Sequence, residues 1–395
     1  MKINRFSKNE NGSIIVWTAI MLAVLLAFAG FATDIPYLFV ARQQAQTAAD
    51  AGAIAGAYEL LTDPDDPAGV STQAKAFAAK TPIIGKTLLD GEIEVFTCSS
   101  NGGTIPACTA NTADPDQVTT ITYRWTQEHG DRPMPLFVLP VLQIFGLGQA
   151  TATSWGWDAA NIKATATARI LNTCSSDCFK PWSIPDKYTE NSVPPNGQFD
   201  PGVDIYDATT TGYQWPRDNG IQAVLKIGSP QDAITPGFFY AVDFPPINRG
   251  TPIHGADPYR DNIAACGPES FVAIGDDLLI ETGMMAGPTK QGLEALIAQD
   301  PTAIWEGGAD PGGHVANSAF THSPRLIRIA FFSPVLQAEL KSGRQDIPVV
   351  NVGGFFVEDV TANGKNVTGR FSDVFAWGGE IDPTCEGLKT VRLVQ

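Results

Sequence analysis

Residues Ser13–Leu61 read SIIVWTAIMLAVLLAFAGFATDIPYLFVARQQAQTAADAGAIAGAYELL, and the fold follows from how that stretch divides. Its first part, Ser13 to Thr33, has no ionisable side chain. Ile14, Ile15, Val16, Ile20, Leu22, Val24, Leu25, Leu26, Phe28 and Phe31 supply ten large apolar groups. A helix of about 20 residues rises about 30 Å, the thickness of a hydrocarbon core. On an insertion scale those ten contribute about −3 to −6 kcal/mol, and no charge opposes them. The segment is expected to be a transmembrane anchor over residues 13–33. Ala27-Phe28-Ala29 has the A-x-A form of a secretory cleavage site behind a basic leader. The apolar run, however, exceeds the usual ~7–15-residue core of a signal peptide and continues past that site, so an uncleaved anchor is the reading adopted. Lys2, Arg5 and Lys8 precede the span, whereas Asp34 follows it and the next cation is Arg42. Positive residues stay inside, which places 1–12 as a cytoplasmic stub and everything after the span across the membrane.

The second part, 34–61, changes character to good helix formers. Ala41, Ala45, Ala49, Ala53 and Ala57 are each four apart, and Ala48, Gly52 and Gly56 make a neighbouring row. Small residues at that spacing let another helix come close. Ala45, Ala49, Gly52, Ala53 and Gly56 are therefore the expected helix-packing positions, against an alternative in which the Ala-rich helix has no partner. Asp34, Pro36 and Arg42 lie at the expected membrane interface, and Pro36 should kink or interrupt the helix there.

The run from Asn11 to Leu60 resembles the N-terminal segment of Tad (Flp, tight-adherence) pilus-assembly proteins of the TadE/TadG-like type. The likeness is carried by Gly12 before the apolar span, Asp34 closing it, and Arg42 with the Gln/Ala-rich run to Ala57. GDDLLIETGMMAGPTKQGLEALIAQDP and SPRLIRIAFFSP, further on, are also similar to large TadG-like proteins. Prepilins carry Glu five residues after the cleavage glycine, whereas here that position, counted from Gly12, is Trp17. Processing by a prepilin peptidase is not expected. The resemblance implies a bacterial inner-membrane protein whose partners are the membrane and other Tad pilus, pseudopilin or assembly proteins.

The 395 residues allow two or three domains and a core large enough to fold unaided. A formal charge of −16 excludes a nucleic-acid partner, whose phosphates demand a basic surface, and suits an exported, self-repelling body. Six cysteines, Cys98, Cys108, Cys174, Cys178, Cys266 and Cys385, all lie beyond the span. In an oxidising compartment they are expected as disulfides, and fifteen pairings are open. The pairing adopted is Cys98–Cys108, Cys174–Cys178 and Cys266–Cys385. A zinc site at Cys174 and Cys178 lacks a second ligand pair nearby.

Past the breaker-rich loop 63–67, Ser71 to Ala79 reads as a short helix. Ile93 and Val95, then Ile121, Tyr123 and Trp125, alternate with polar residues as half-buried strands do. Met134 to Gly148 is apolar but broken by prolines and too short to span a bilayer. Ile162, Ala164, Ala166, Ala168 and Ile170 form one face of a one-sided strand. Residues 62–173 thus read as a small α+β, pilin-like domain. Cys174 to Tyr213 is loop-rich and marks a boundary. Beyond it, strands are expected around 221–227, 238–244, 326–332, 347–357 and 390–394, with a helix opened by Pro288. The class is α+β: a transmembrane helix extended by an Ala-rich helix, then β-rich extracytoplasmic domains, the last over 174–395.

Chemistry is sparse. His129, His254, His314 and His322 are scattered, and no zinc-protease, nucleophile-elbow, Walker or EF-hand motif occurs. Asp276-Asp277 with Glu281 reads as a solvated loop rather than a catalytic pair. Asp186, Asp200, Asp204 and Asp207 could together offer oxygens to calcium, although their spacing is not that of an EF-hand. No other cofactor and no enzymatic activity are expected. The function expected is a membrane-anchored component of Tad/Flp pilus assembly. A surface-exposed adhesive or calcium- or ligand-binding module is the alternative. A periplasmic hydrolase is disfavoured by the missing motifs, and only a concave pocket with carboxylates converging beside His254 or His314 would revive it.

Overall fold

The computed structural model describes residues 11–63, 66–100, 108, 110–112, 115–124, 132–137 and 159–394, with short breaks at 230–231, 236, 284, 309–312, 321, 339, 341–342, 377 and 386. The expected features at Lys2, Arg5, Lys8, Trp125, His129 and 138–148 lie outside the described residues. The chain divides into two compact units, one of 1–60, 66–169 and 393–395, the other of 61–65 and 170–392.

Unit 1 is organised by helix α1 (Asn11–Thr62), a single element of 52 residues, hence about 78 Å long. Pro36 lies inside it, so of the expected kink or interruption the interruption does not occur. Proline removes the one hydrogen bond that would reach the Ala32 carbonyl, and the turns on either side carry the helix through. Helix α2 (Pro67–Ala79) starts on Asp66, whose carboxylate accepts the Gly69 N–H at 2.9 Å, with Pro67 in the first turn where no N–H is needed.

Three neighbouring antiparallel strands face the helices in the order β1 (Ile93–Cys98), β2 (Gln117–Arg124) and β3 (Ile162–Asn172), β3 running on past Arg169 into unit 2. The register sets Thr122, Thr120 and Val118 opposite Ala164, Ala166 and Ala168. Directly opposed residues share a face, so these six make a patch of small side chains. β2 is buried along its whole length rather than half-buried as the alternation suggested. Its threonine face, which looks solvent-directed in sequence, is the one that meets α1: the Thr122 hydroxyl donates to the Ala45 carbonyl at 3.0 Å. Arg124, 2 % exposed, ion-pairs with the fully buried Glu92 and donates to the Lys86 carbonyl at 2.7 Å.

Unit 2 is built on a seven-stranded sheet of β4 (Phe179–Pro185), β5 (Gln222–Ile227), β6 (Phe238–Asp243), β7 (Asp277–Ile280), β8 (Leu326–Phe332), β9 (Asp346–Thr361) and β10 (Asn366–Ser372). The order β9-β8-β4-β6-β5-β10 returns to β9, so the sheet closes on itself, and β7 bridges β9 and β6. Closure leaves few free edges, and the 16-residue β9 achieves it by pairing β7 and β8 first and β10 later. Alternation along β8 divides the core. Ile327, Ile329 and Phe331 join one apolar cluster with Tyr259 and Ile263 of helix α3 (Ala256–Ala264) and Leu293 and Leu296 of helix α4 (Ala286–Gln299). Ala330 and Phe332 join the other, with Tyr240, Val242 and Leu278. Gly353, inside β9, is needed because a Cβ there would lie 2.2 Å from the Trp215 ring.

β4 falls in the stretch read as loop, and its Pro181 is the reason for that reading. The strand accommodates it at an irregularity: Arg328 pairs with Phe179, but Ala330 pairs with Ser183. The extra residues on β4 lift Pro181 out of the ladder.

Cysteine pairing corrects the sequence reading in two of three bonds. Cys98–Cys108 is present, but the others are Cys174–Cys385 and Cys178–Cys266. Ser175 and Ser176 are extended and pair with Val272 and Ala273. The same pairing brings Cys266 beside Cys178.

Candidate functional site

The described residues contain one helix long and apolar enough to cross a membrane, and α1 changes its surroundings along its length. From Ile14 to Val40 most of its large side chains lie open: Ile15 is 70 % exposed, Phe28 68 % and Phe39 70 %. Water would not tolerate such a continuous apolar surface, whereas lipid would. From Ala41 onward one face is closed. Ala41, Ala45, Ala49, Ala53 and Ala57 are buried, as are Gly52 and Gly56.

That closed face is the small-residue row singled out in the sequence, and its partner is this chain's own unit 1. A Cβ built on Gly52 would stand 2.8 Å from Thr120 Cγ2 and 3.0 Å from the Ala74 carbonyl. On Gly56 it would stand 2.8 Å from Val118 Cγ1 and 3.1 Å from Ala74 Cβ. The alanines and glycines thus let α1 lie against α2 and the Thr/Ala/Val face of the sheet, so no second molecule is needed to cover them. Gln46 adds a polar tie, its amide donating to the Thr165 carbonyl at 3.0 Å.

Within the largely open stretch Asp34 is the exception, fully buried and accepting the Phe137 N–H at 3.2 Å. Tyr37 packs edge-to-face on Phe137 with ring centroids 5.2 Å apart. Asp34 therefore holds a neighbouring segment of its unit as well as closing the apolar run. Arg42 is exposed.

The four aspartates suggested for calcium are not brought together. Asp186 accepts N–H groups from Lys187 and Tyr213, at 2.9 and 2.8 Å. Burial pushes its carboxyl up to about 6 against those donors. Asp204 takes the Asn191 and Asp200 N–H groups, and Asp207 those of Thr209 and Thr210. Asp200 accepts from Ser192 and Asn196, each at 2.6 Å. Each carboxylate shapes its own turn.

A cluster that sequence did not assemble does form in unit 2. Asp243 at the end of β6, His254 and Glu281 present ligand atoms all within 4.8 Å of one another. His254 Nδ1 lies 2.5 Å from Asp243 Oδ2. Glu281 accepts the Gly255 N–H at 2.8 Å and the Thr282 N–H at 2.7 Å, and Arg344 stands 3.2 Å away. Burial, with the adjacent Glu281, pushes the Asp243 carboxyl up to about 7. Glu281 is likewise buried, but the N–H groups of Gly255 and Thr282, the Asp243 bond and Arg344 hold it below the ordinary range. An imidazole with two carboxylates is a donor set for a borderline divalent cation. The sequence signal was Asp243 itself, an acid inside the apolar run FFYAVDF.

The architecture defines a class: an apolar N-terminal helix, long enough to cross a membrane, continuous with a helix built into a folded α+β body. Residues 12–59 match the family model described as "Putative Flp pilus-assembly TadE/G-like", and this is the stretch in which α1 passes from its open to its closed regime. No curated protein and no solved structure matches the chain.

Proposed function

We propose that this protein is a single-pass component of a Tad/Flp pilus machine, a minor-pilin-like subunit or assembly factor whose work is anchoring and protein–protein contact. Residues 13–33 lie in the bacterial inner membrane, the N-terminus is cytoplasmic, and both folded units are periplasmic or extracellular. One observation carries the reading: the pilus-assembly match over 12–59 coincides with a helix that is apolar and open in its first half and built into a body in its second. The three disulfides accord with an oxidising compartment. Since the row from Ala45 to Gly56 is filled from within, partners of stated type, other Tad pilus or assembly helices, meet the open side chains between Ile14 and Val40.

The test replaces residues 13–33 by an unrelated transmembrane sequence of equal length in a Tad-bearing host. Membrane insertion should persist while pili, and co-purification with pilus proteins in detergent, are lost. Normal piliation by the chimera would overturn the reading.

A further inference from the structure

Lys180, Arg328 and His322 of unit 2, with the acid Asp177, line one cavity of about 560 Å³, the size of a small-ligand site. Lys180 comes from β4 and Arg328 from β8, while His322 stacks on Phe375 with ring centroids 5.5 Å apart. Leu296, Leu326 and Val374 give the walls an apolar character, and the Cys178–Cys266 disulfide closes one side.

Lys180 is 3 % exposed and Arg328 6 %, so two cations are held out of bulk water within each other's field. Burial and then Arg328 pull the Lys180 ammonium down to about 7. Burial pulls the Arg328 guanidinium down to about 9, partly offset by Asp177. Both cations have anchoring bonds. Lys180 Nζ donates to the Asn262 and Ala265 carbonyls at 3.2 and 3.0 Å, capping the end of α3. Arg328 Nε donates to the Phe375 carbonyl at 2.8 Å. Capping a helix needs one cation at its end, not a second buried beside it. An ammonium also has three N–H groups, one more than Lys180 spends on those carbonyls. An anion placed between the two would add to the partial offset that Asp177 gives Arg328.

We propose that this cavity binds an organic carboxylate with an apolar body, the acid group held by Lys180 and Arg328 and the body packed on Leu296, Leu326, Val374 and the Phe375–His322 stack. The carboxylate comes from a free small acid or from the C-terminus of a polypeptide.

Calorimetry on the full-length protein in nanodiscs separates these sources and tests the site. The probes are 1-naphthoate, its neutral 1-naphthamide, an N-acetylated apolar pentapeptide with a free C-terminus, and that peptide as its amide. Each acid should bind about 10–100-fold more tightly than its amide, the worth of charge-assisted hydrogen bonds. A tighter peptide acid assigns the polypeptide source, and a tighter naphthoate the free acid. Arg328→Gln should abolish the preference. Because that variant also loses a structural bond, Ala265→Trp at the exposed rim serves as the second: binding should vanish with the melting temperature unchanged. Equal affinity for acids and amides, no binding of any probe, or full affinity in Ala265→Trp would overturn the proposal.

Discussion

Replacing Gly52 tests the packing of α1 most sharply. A Cβ there would meet Thr120 Cγ2 at 2.8 Å, the Ala74 carbonyl at 3.0 Å and Ala78 Cβ at 3.2 Å. Unstrained carbon contacts are about 3.5–4.0 Å, and none of the three neighbours is the free end of a flexible chain. Overpacking of this kind costs about 1–3 kcal/mol. Glycine to alanine in a helix returns about 1 kcal/mol. Gly52→Ala should therefore lose up to about 2 kcal/mol, and Gly52→Leu, with three further carbons and nowhere to place them, about 3 kcal/mol or more. For a unit of this size 1 kcal/mol shifts the melting temperature by about 2–4 °C, so the leucine variant should melt about 6–12 °C lower. Near-ultraviolet circular dichroism of the detergent-solubilised protein reads this directly. Thr47→Leu, on the exposed side of the same helix, is the control and should stay within about 0.5 kcal/mol of wild type. Gly52→Leu melting with the wild type would show that the small-residue face is not covered by Thr120 and α2.

Other consequences follow from buried charge and cross-links. Arg124→Met leaves Glu92 buried without its main partner and should cost about 3–5 kcal/mol in urea unfolding; a loss under 1 kcal/mol would mean that Arg132, 3.4 Å away, suffices. Replacing Cys178 and Cys266 together by serine opens a loop of 88 residues and should destabilise unit 2 by about 4–5 kcal/mol on the chain-entropy model, whereas the same change at Cys98 and Cys108 should cost less. The Asp243 carboxyl is raised to about 7, above its ordinary value near 4, so the folded state keeps a proton that the unfolded chain releases. This group's contribution is complete below about pH 4 and is lost as pH rises through about 7. Asp243→Asn should flatten the fall in stability between pH 5 and 8, and an unchanged slope would contradict the assignment.

Much of this architecture was legible because its signals are local. Ser13–Thr33 announces itself by the absence of charge, and the apolar runs at 238–244, 326–332 and 347–357 fall on β6, β8 and β9. Ala286–Gln299 follows from Pro288 and the Leu293/Leu296 spacing. Non-local features were hidden. Small-residue spacing in α1 specifies close approach but not by what, and a sheet face of Thr and Ala serves as well as a helix. Pro181 disguised a central strand because a bulge is invisible in sequence. Disulfide choice depended on Val272–Ala273 pairing with Ser175–Ser176, far away in the chain. The site residues had a readable mark that went unused: Asp243, Lys180 and Arg328 are each an ionisable group inside an apolar strand (FFYAVDF, FKPWSIP, LIRIAFF). Such groups are rarely buried without a partner or a purpose.

On the function proposed, residues 13–33 remain in the mature protein as its hold on the membrane. Intact-mass spectrometry of the protein extracted from carbonate-washed membranes measures this in one step. The expected result is a membrane-pelleted chain whose mass includes Ser13–Thr33 and three disulfides. A soluble chain beginning just after Ala29 would contradict it.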